Sequence, residues 1–125
     1  MSRLILIRGL PGSGKSTIAK NIAAVCGYVH VEADMFWIDG YGNYNFDISR
    51  LRDAHEWCRD YTYQLINRDG QDVVVSNTFT QKWEMSPYFQ ISDRAAVLTC
   101  RGNFGSIHNV PQDVVEKMRA RWEEF

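Results

Sequence analysis

Hydrophobic positions along the chain follow two different periods. Four short apolar runs lie at 3–8, 28–32, 72–76 and 95–100. The first places Leu4, Ile5, Leu6 and Ile7 in sequence, without polar alternation, which suits a strand covered on both faces. The third carries Val73, Val74 and Val75, the fourth Val97 and Leu98, and the second is the weakest. Segments with helical spacing separate them. Over 16–26, Ile18, Ile22 and Val25 form a stripe and Gly27 marks the stop. Over 50–69, Leu51, Ala54, Cys58, Tyr61 and Leu65 do the same, followed by Gly70. A shorter helix over 83–91 contains Pro87, which predicts a bend or an end there. A last helix starts at Pro111, suited to a first helical position, with Val114, Met118, Trp122 and Phe125 on one stripe.

Strand–helix alternation predicts an α/β fold: a short parallel sheet of about four strands, flanked by helices and joined by right-handed crossovers. No repeat, low-complexity stretch or linker divides the chain, and 125 residues make one domain rather than two, so 1–125 reads as a single unit. In such sheets ligands bind beyond the carboxyl ends of the strands. The segments with chemical potential all follow a strand directly.

The first of these is Gly9-Leu10-Pro11-Gly12-Ser13-Gly14-Lys15-Ser16, with Thr17 next. It matches G-x-x-x-x-G-K-[ST], the Walker A phosphate loop, at every fixed position and in the required strand-to-helix context. Glycines allow the backbone to wrap a phosphate, successive N–H groups form an anion nest, and the helix N-terminus adds partial positive charge. Lys15 is placed for the β and γ phosphates and the Ser16 hydroxyl for Mg²⁺. Gly9, Gly12, Ser13, Gly14, Lys15, Ser16 and Thr17 are therefore the predicted nucleotide-binding residues, with ATP and Mg²⁺ as the expected cofactors. The loop alone does not choose among kinase, hydrolase and switch.

Asp34 follows the second strand, where a carboxylate can take the proton of an acceptor hydroxyl or serve the metal. It can equally start a helix as an N-cap. Glu32 is the fallback carboxylate. The third strand ends in Ser76-Asn77-Thr78, where many P-loop enzymes carry an acid for Mg²⁺. That leaves Ser16 and Asp34 as the metal-side candidates. Arg101, after the fourth strand, is a candidate for transition-state charge, for stacking on adenine, or for plain solvation. His30, His55 and His108 lack metal-ligand spacing and read as structural or surface residues. The segment 36–46 holds five aromatics and two glycines and reads as a mobile loop over the acceptor side.

Composition narrows the partners. A formal net charge of −1 argues against general affinity for nucleic acid, though a local basic cleft stays compatible with it. No run is long and apolar enough to span a membrane, and the apolar start leads straight into the glycine loop as a strand rather than a signal peptide. Cys26, Cys58 and Cys100 are odd in number and lack a CxxC pair. They read as reduced, buried thiols of a cytoplasmic protein.

Taken together, the GLPGSGKST loop, Asp34-Met35-Phe36, Ala54-His55-Glu56-Trp57-Cys58, Ser76-Asn77-Thr78-Phe79-Thr80 with Trp83-Glu84, and Ile107-His108-Asn109-Val110-Pro111 form a familiar order. The chain resembles the compact P-loop kinases of the polynucleotide-kinase type, also described as AAA-type ATPases. The resemblance implies a phosphotransferase acting on a hydroxyl, such as a polynucleotide 5′-OH or a nucleoside-like acceptor. By it, Lys15, Ser16 and Thr17 match the phosphate and Mg²⁺ positions, and Asp34 matches an acid of the pair that supplies the general base. Trp37 stands near an acceptor-phosphate Arg of those kinases, Ser76 replaces an Asp, and the lid is cut down to 101–110 without its Arg pair. Two other classes remain open: a nucleotide-binding module acting through a partner, and a slow NTPase.

Overall fold

The structure, a computed structural model, describes residues 2–103 and 110–125. His108 and most of the shortened lid lie outside the described residues. Four strands form one all-parallel sheet: β1 (Leu4–Gly9), β2 (Val29–Val31), β3 (Val73–Asn77) and β4 (Ala95–Cys100), in the order β2-β3-β1-β4. Helices α1 (Lys15–Cys26), α2 (Leu51–Asn67), α3 (Lys82–Phe89) and α4 (Gln112–Ala120) complete the expected α/β arrangement. β1 is central, and its buried run meets both β3 and β4.

Strand parity divides the core into two layers. Leu4, Leu6, Val31, Val73 and Val75 face α2 and α3, meeting Ala54, Cys58, Leu65, Ile66, Met85 and Tyr88. Ile7 and Val74 face α1, where Ala19 is fully buried and Ile22 and Ala23 pack alongside. Each fully buried aliphatic side chain in these layers contributes about 1.5–3 kcal/mol.

Three helical stripes differ from their sequence expectation. On α1, Ile18 is 37% and Val25 84% exposed, and the small Ala19 is what lies against the sheet. A small residue one turn into α1 lets the helix start close to β1, as a loop of five residues between strand and helix requires. On α2, Leu51 and Tyr61 face outward, and Thr62 is buried. Its hydroxyl donates to the Cys58 carbonyl at 2.7 Å, which removes the cost of burying it. Helix α3 stops two residues after Pro87, whose ring nitrogen has no proton for the preceding turn. Helix α4 ends before Trp122 and Phe125, so its predicted stripe is cut short. Cys58 and Cys100 are buried as expected, whereas Cys26 is exposed.

One polar residue ties the far end of the chain to the sheet. Arg8, fully buried on β1, donates to the Phe79 carbonyl through Nε and Nη2 at 3.0 and 2.7 Å, and to the Thr80 and Glu123 carbonyls at 3.2 and 2.6 Å. Its Nη1 has no hydrogen-bond partner, and the face of Trp122 lies 4.0 Å from the guanidinium carbon. Phe79 sits at φ 44, a region a bulky residue rarely adopts. The bidentate grip on its carbonyl holds that strained backbone in place. Arg8→Met is therefore expected to lower stability by about 3 kcal/mol, read by urea unfolding, because buried carbonyls lose a charged donor. A loss below about 0.5 kcal/mol would show that solvent replaces the guanidinium without penalty.

Candidate functional site

The glycine loop connects β1 to α1 at the carboxyl edge of the sheet. Gly12 and Gly14 adopt φ 81 and 91, the left-handed region that disfavours other residues. Gly9 is required for a different reason. A Cβ there would stand 2.2 Å from Ser13 Oγ and 2.9 Å from the Cys100 carbonyl. The serine could turn away, but the β4 backbone could not. Gly9→Ala is expected to push the loop off the sheet and cost about 1–3 kcal/mol in urea unfolding. An unchanged midpoint would show that β4 yields.

The Ser13 hydroxyl is buried and has no hydrogen-bond partner among the described residues. Its oxygen stands against Gly9, where a Cβ would be, and packs the loop onto the end of β1. Lys15 is half-buried at the first turn of α1. Burial lowers its pKa, and the carboxylates of Glu32 and Asp34 oppose that shift. The ammonium thus lies within electrostatic reach of both acids. Thr17, the last of the predicted loop residues, is exposed.

Strand register explains how Glu32 reaches the loop. Val31 pairs with Val75, so Glu32 comes out beside Ser76, and both belong to the α1 face of the sheet. Glu32 Oε2 accepts the Ser76 hydroxyl at 2.9 Å and the Ser16 hydroxyl at 3.1 Å. His30 Nε2 lies 2.7 Å from Ser76 Oγ and 3.5 Å from Glu32 Oε2. With the Ser76 proton committed to Glu32, the His30 nitrogen donates to the serine oxygen. Burial alone would raise the Glu32 pKa. Hydrogen bonds from His30 and Ser76, the His30 charge, and the Ser16 hydroxyl outweigh it and hold the carboxyl at about 2.

Asn77 has the opposite parity and serves the other face. Its Oδ1 accepts the Ala33 N–H at 2.9 Å and its Nδ2 points at Cys58 Sγ, 3.6 Å away. This fixes the start of the short 3₁₀ turn Ala33–Trp37, which carries Asp34. Asp34 accepts a hydrogen bond from the Tyr44 hydroxyl at 3.3 Å. Burial and the Asp34 charge push the Tyr44 pKa to about 12, so the phenol stays a donor. Trp37 is buried, edge-on to Phe36 and Phe46.

The aromatic segment is better ordered than its glycines suggest. Asp39 Oδ1 accepts from the Tyr41 and Asn43 N–H groups at 2.8 and 3.0 Å, and Oδ2 from Asn45 at 3.1 Å. Ile38 and Tyr44 form an antiparallel bridge across the turn. Beyond Phe36, a cleft of about 450 Å³ runs along α2, lined by Arg50, Asp53, Glu56, Trp57 and Asp60.

The structure thus brings together Lys15, Ser16, Glu32 and Asp34. It does not bring Arg101 among them by any contact. Arg101 is exposed and forms a double hydrogen bond to Glu124 at 3.1 and 2.5 Å, a pair that raises its pKa. The sequence offers Glu32 only as a fallback to Asp34; the order of strands, which puts β2 beside β3 and Glu32 within reach of Ser16, is not readable from it. Among the described residues, no group of three or more His, Cys, Asp or Glu converges to cage a metal. A hydroxyl and a single carboxylate fit instead a cation whose other ligands are phosphate oxygens and water. No helix of the described residues is long and apolar enough to cross a membrane.

Comparison with known proteins agrees with this geometry. A family model described as AAA domain matches residues 4–101. NEDD4-binding protein 2 of Homo sapiens is 37% identical over 93 residues, covering 73% of this chain. The match spans only 5% of that relative's length. A gluconokinase from Sinorhizobium meliloti 1021 superposes with a TM-score of 0.68 at 20% identity, over 98% of this chain and 75% of its own. A chain of the Pnkp1/Rnl/Hen1 RNA repair complex gives 0.69 at 17% identity, over 96% of this chain and 43% of its own. At these identities the structures share a fold, and that fold is the P-loop kinase arrangement expected from the motif order. With the family model running from β1 to the end of β4, the chain belongs to the AAA domain family.

Proposed function

We propose that this domain binds ATP in the Gly9–Ser16 loop and transfers the γ-phosphoryl to a hydroxyl acceptor. One observation carries the reading: Lys15 opens helix α1 directly after a loop whose Gly12 and Gly14 take positive φ, within electrostatic reach of Glu32 and Asp34. Two acids held apart support two roles. Glu32 is tied to Ser16 and belongs to the phosphate side. Asp34 stands two residues on, in the Ala33–Trp37 turn, and accepts the Tyr44 hydroxyl.

In the reaction so read, Asp34 accepts the acceptor's hydroxyl proton as its oxygen attacks the γ-phosphorus. The bond to the bridging oxygen breaks and ADP leaves. Lys15 balances charge on the phosphates. Mg²⁺, when bound, would neutralise charge shared between the β and γ phosphates, with Ser16 and one carboxylate on its protein side.

The surroundings of Asp34 favour an uncharged acceptor over a polynucleotide. Trp37, which stands near the acceptor-phosphate Arg of the polynucleotide-type kinases that the chain resembles, is 4% exposed and apolar. The cleft next to Phe36 carries Asp53, Glu56 and Asp60 against the one cation Arg50. Such a wall repels a polyanion. The test is phosphate transfer from labelled ATP to a panel of nucleosides, polyols and 5′-OH oligonucleotides. Transfer to a small hydroxyl compound supports the reading, and turnover of oligonucleotide alone would reverse the choice of acceptor. No transfer to any acceptor by a chain that binds ATP would favour a second reading, a nucleotide-binding module acting through a partner. The pairing of Arg101 with Glu124, which occupies the arginine, is the observation that favours this alternative.

A further inference from the structure

A serine hydroxyl that ligates a cation through its oxygen needs somewhere to place its proton. In P-loop NTPases an acid at the end of the strand beside the loop strand also holds the Mg²⁺ side. That strand here is β3, adjacent to β1, and its residue on the α1 face is Ser76, paired in register with Ile7. A serine carries no charge and cannot do this work.

The neighbouring strand supplies what β3 lacks. Glu32 leaves β2 one residue after Val31 and lands beside Ser76 on the same face. Strands lie about 4.8 Å apart, so an acid from one strand further out must have a longer reach than aspartate on β3 would need. Glutamate has that extra methylene. Its Oε2 arrives within 3.1 Å of Ser16 Oγ and accepts the hydroxyl's hydrogen bond, which leaves the Ser16 lone pairs pointing away from the acid. Ser76 holds the same oxygen at 2.9 Å, and His30 backs Ser76 at 2.7 Å. Oε1 accepts no hydrogen bond among the described residues, and the side chain keeps 16% of its surface exposed. The carboxylate is therefore aimed by one oxygen and open at the other. Asp34, by contrast, bonds Tyr44 rather than Ser16.

We propose that Glu32, delivered from β2 across Ser76, is the carboxylate that holds the Mg²⁺ side of the bound nucleotide with Ser16, replacing an acid on β3. Ser76 and His30 are its positioning residues. The proposal rests on the ATP reading of the loop, and the experiment separates the two. ATP binding is measured by calorimetry with EDTA and with Mg²⁺, for wild type, Glu32→Gln, Asp34→Asn, and a double variant, Glu32→Ser with Ser76→Asp, which moves the acid back to β3. The expected result is that Glu32→Gln binds ATP in EDTA at least as tightly as wild type, one repelling carboxylate being gone, but loses about 10- to 100-fold of the affinity gained with Mg²⁺. The double variant regains most of that gain, and Asp34→Asn keeps it. Binding in EDTA doubles as the check that each variant is folded. A full Mg²⁺ gain in Glu32→Gln overturns the proposal while leaving ATP binding standing. A gain lost only in Asp34→Asn overturns it in favour of Asp34. Wild type that binds no ATP under either condition overturns both readings.

Discussion

Replacing Lys15 with alanine is expected to weaken ATP binding at least 100-fold, about 2.7 kcal/mol, in calorimetry with Mg²⁺ present. The magnitude follows from what the side chain does. It is half-buried, and its pKa is pulled down by burial and back up by the carboxylates of Glu32 and Asp34. Without it, a polyphosphate entering the loop would meet two carboxylates and no side-chain cation among them. The loss therefore contains both a missing charge-assisted hydrogen bond, about 1.5–3 kcal/mol, and an added repulsion. Folding should change little, because no hydrogen bond or ion pair within the described residues depends on the ammonium. Thermal unfolding of the variant near the wild-type temperature, with binding lost, is the expected pair of results. Retained affinity would mean that the glycine loop and helix α1 hold the nucleotide unaided, and the kinase reading would lose its basis.

Parts of this site were legible in the sequence because they depend on neighbours along the chain. The loop from Gly9 to Ser16 is local: spacing alone fixes which residues need glycine and which carry charge. The four strands were legible for the same reason, with ends shifted by a residue or two. What stayed hidden depends on pairing between distant segments. Nothing near Glu32 in sequence says that β2 lies beside β3 rather than beside β1, yet that choice puts its carboxylate on Ser16. Asn77 is a similar case. Read along the strand it resembles a metal-side oxygen, but its parity turns it to α2, where it holds the Ala33 turn. Arg8 reads as the polar end of a buried strand, and its guanidinium partners come from residues 79, 80, 122 and 123, all distant in sequence. The α1 stripe misled for an energetic reason. Apolar spacing assumes that the largest side chains face the core, whereas close approach at the phosphate loop puts Ala19 there and leaves Ile18 and Val25 to solvent.

Asp34→Asn carries the other large expected effect, this time on chemistry rather than binding. Asparagine keeps the shape of the side chain and can still accept from the Tyr44 hydroxyl, now at 3.3 Å from Asp34. The Ala33–Trp37 turn should hold, since the Asn77 contact to the Ala33 N–H, not Asp34, anchors its start. What asparagine cannot do is take a proton. General-base catalysis contributes about 10²- to 10⁴-fold, so the transfer rate should fall by that factor while ATP affinity stays within about threefold of wild type. Single-turnover assays on the acceptor found in the transfer screen separate the two quantities. Asp34 is also distinguished from Glu32 by this variant. Glu32 acts through Mg²⁺-dependent affinity and Asp34 through the rate of transfer, so the two substitutions should change different constants. If Asp34→Asn lowers Mg²⁺-dependent affinity and spares the rate, the acid on the turn belongs to the metal and the acceptor's proton leaves by another route.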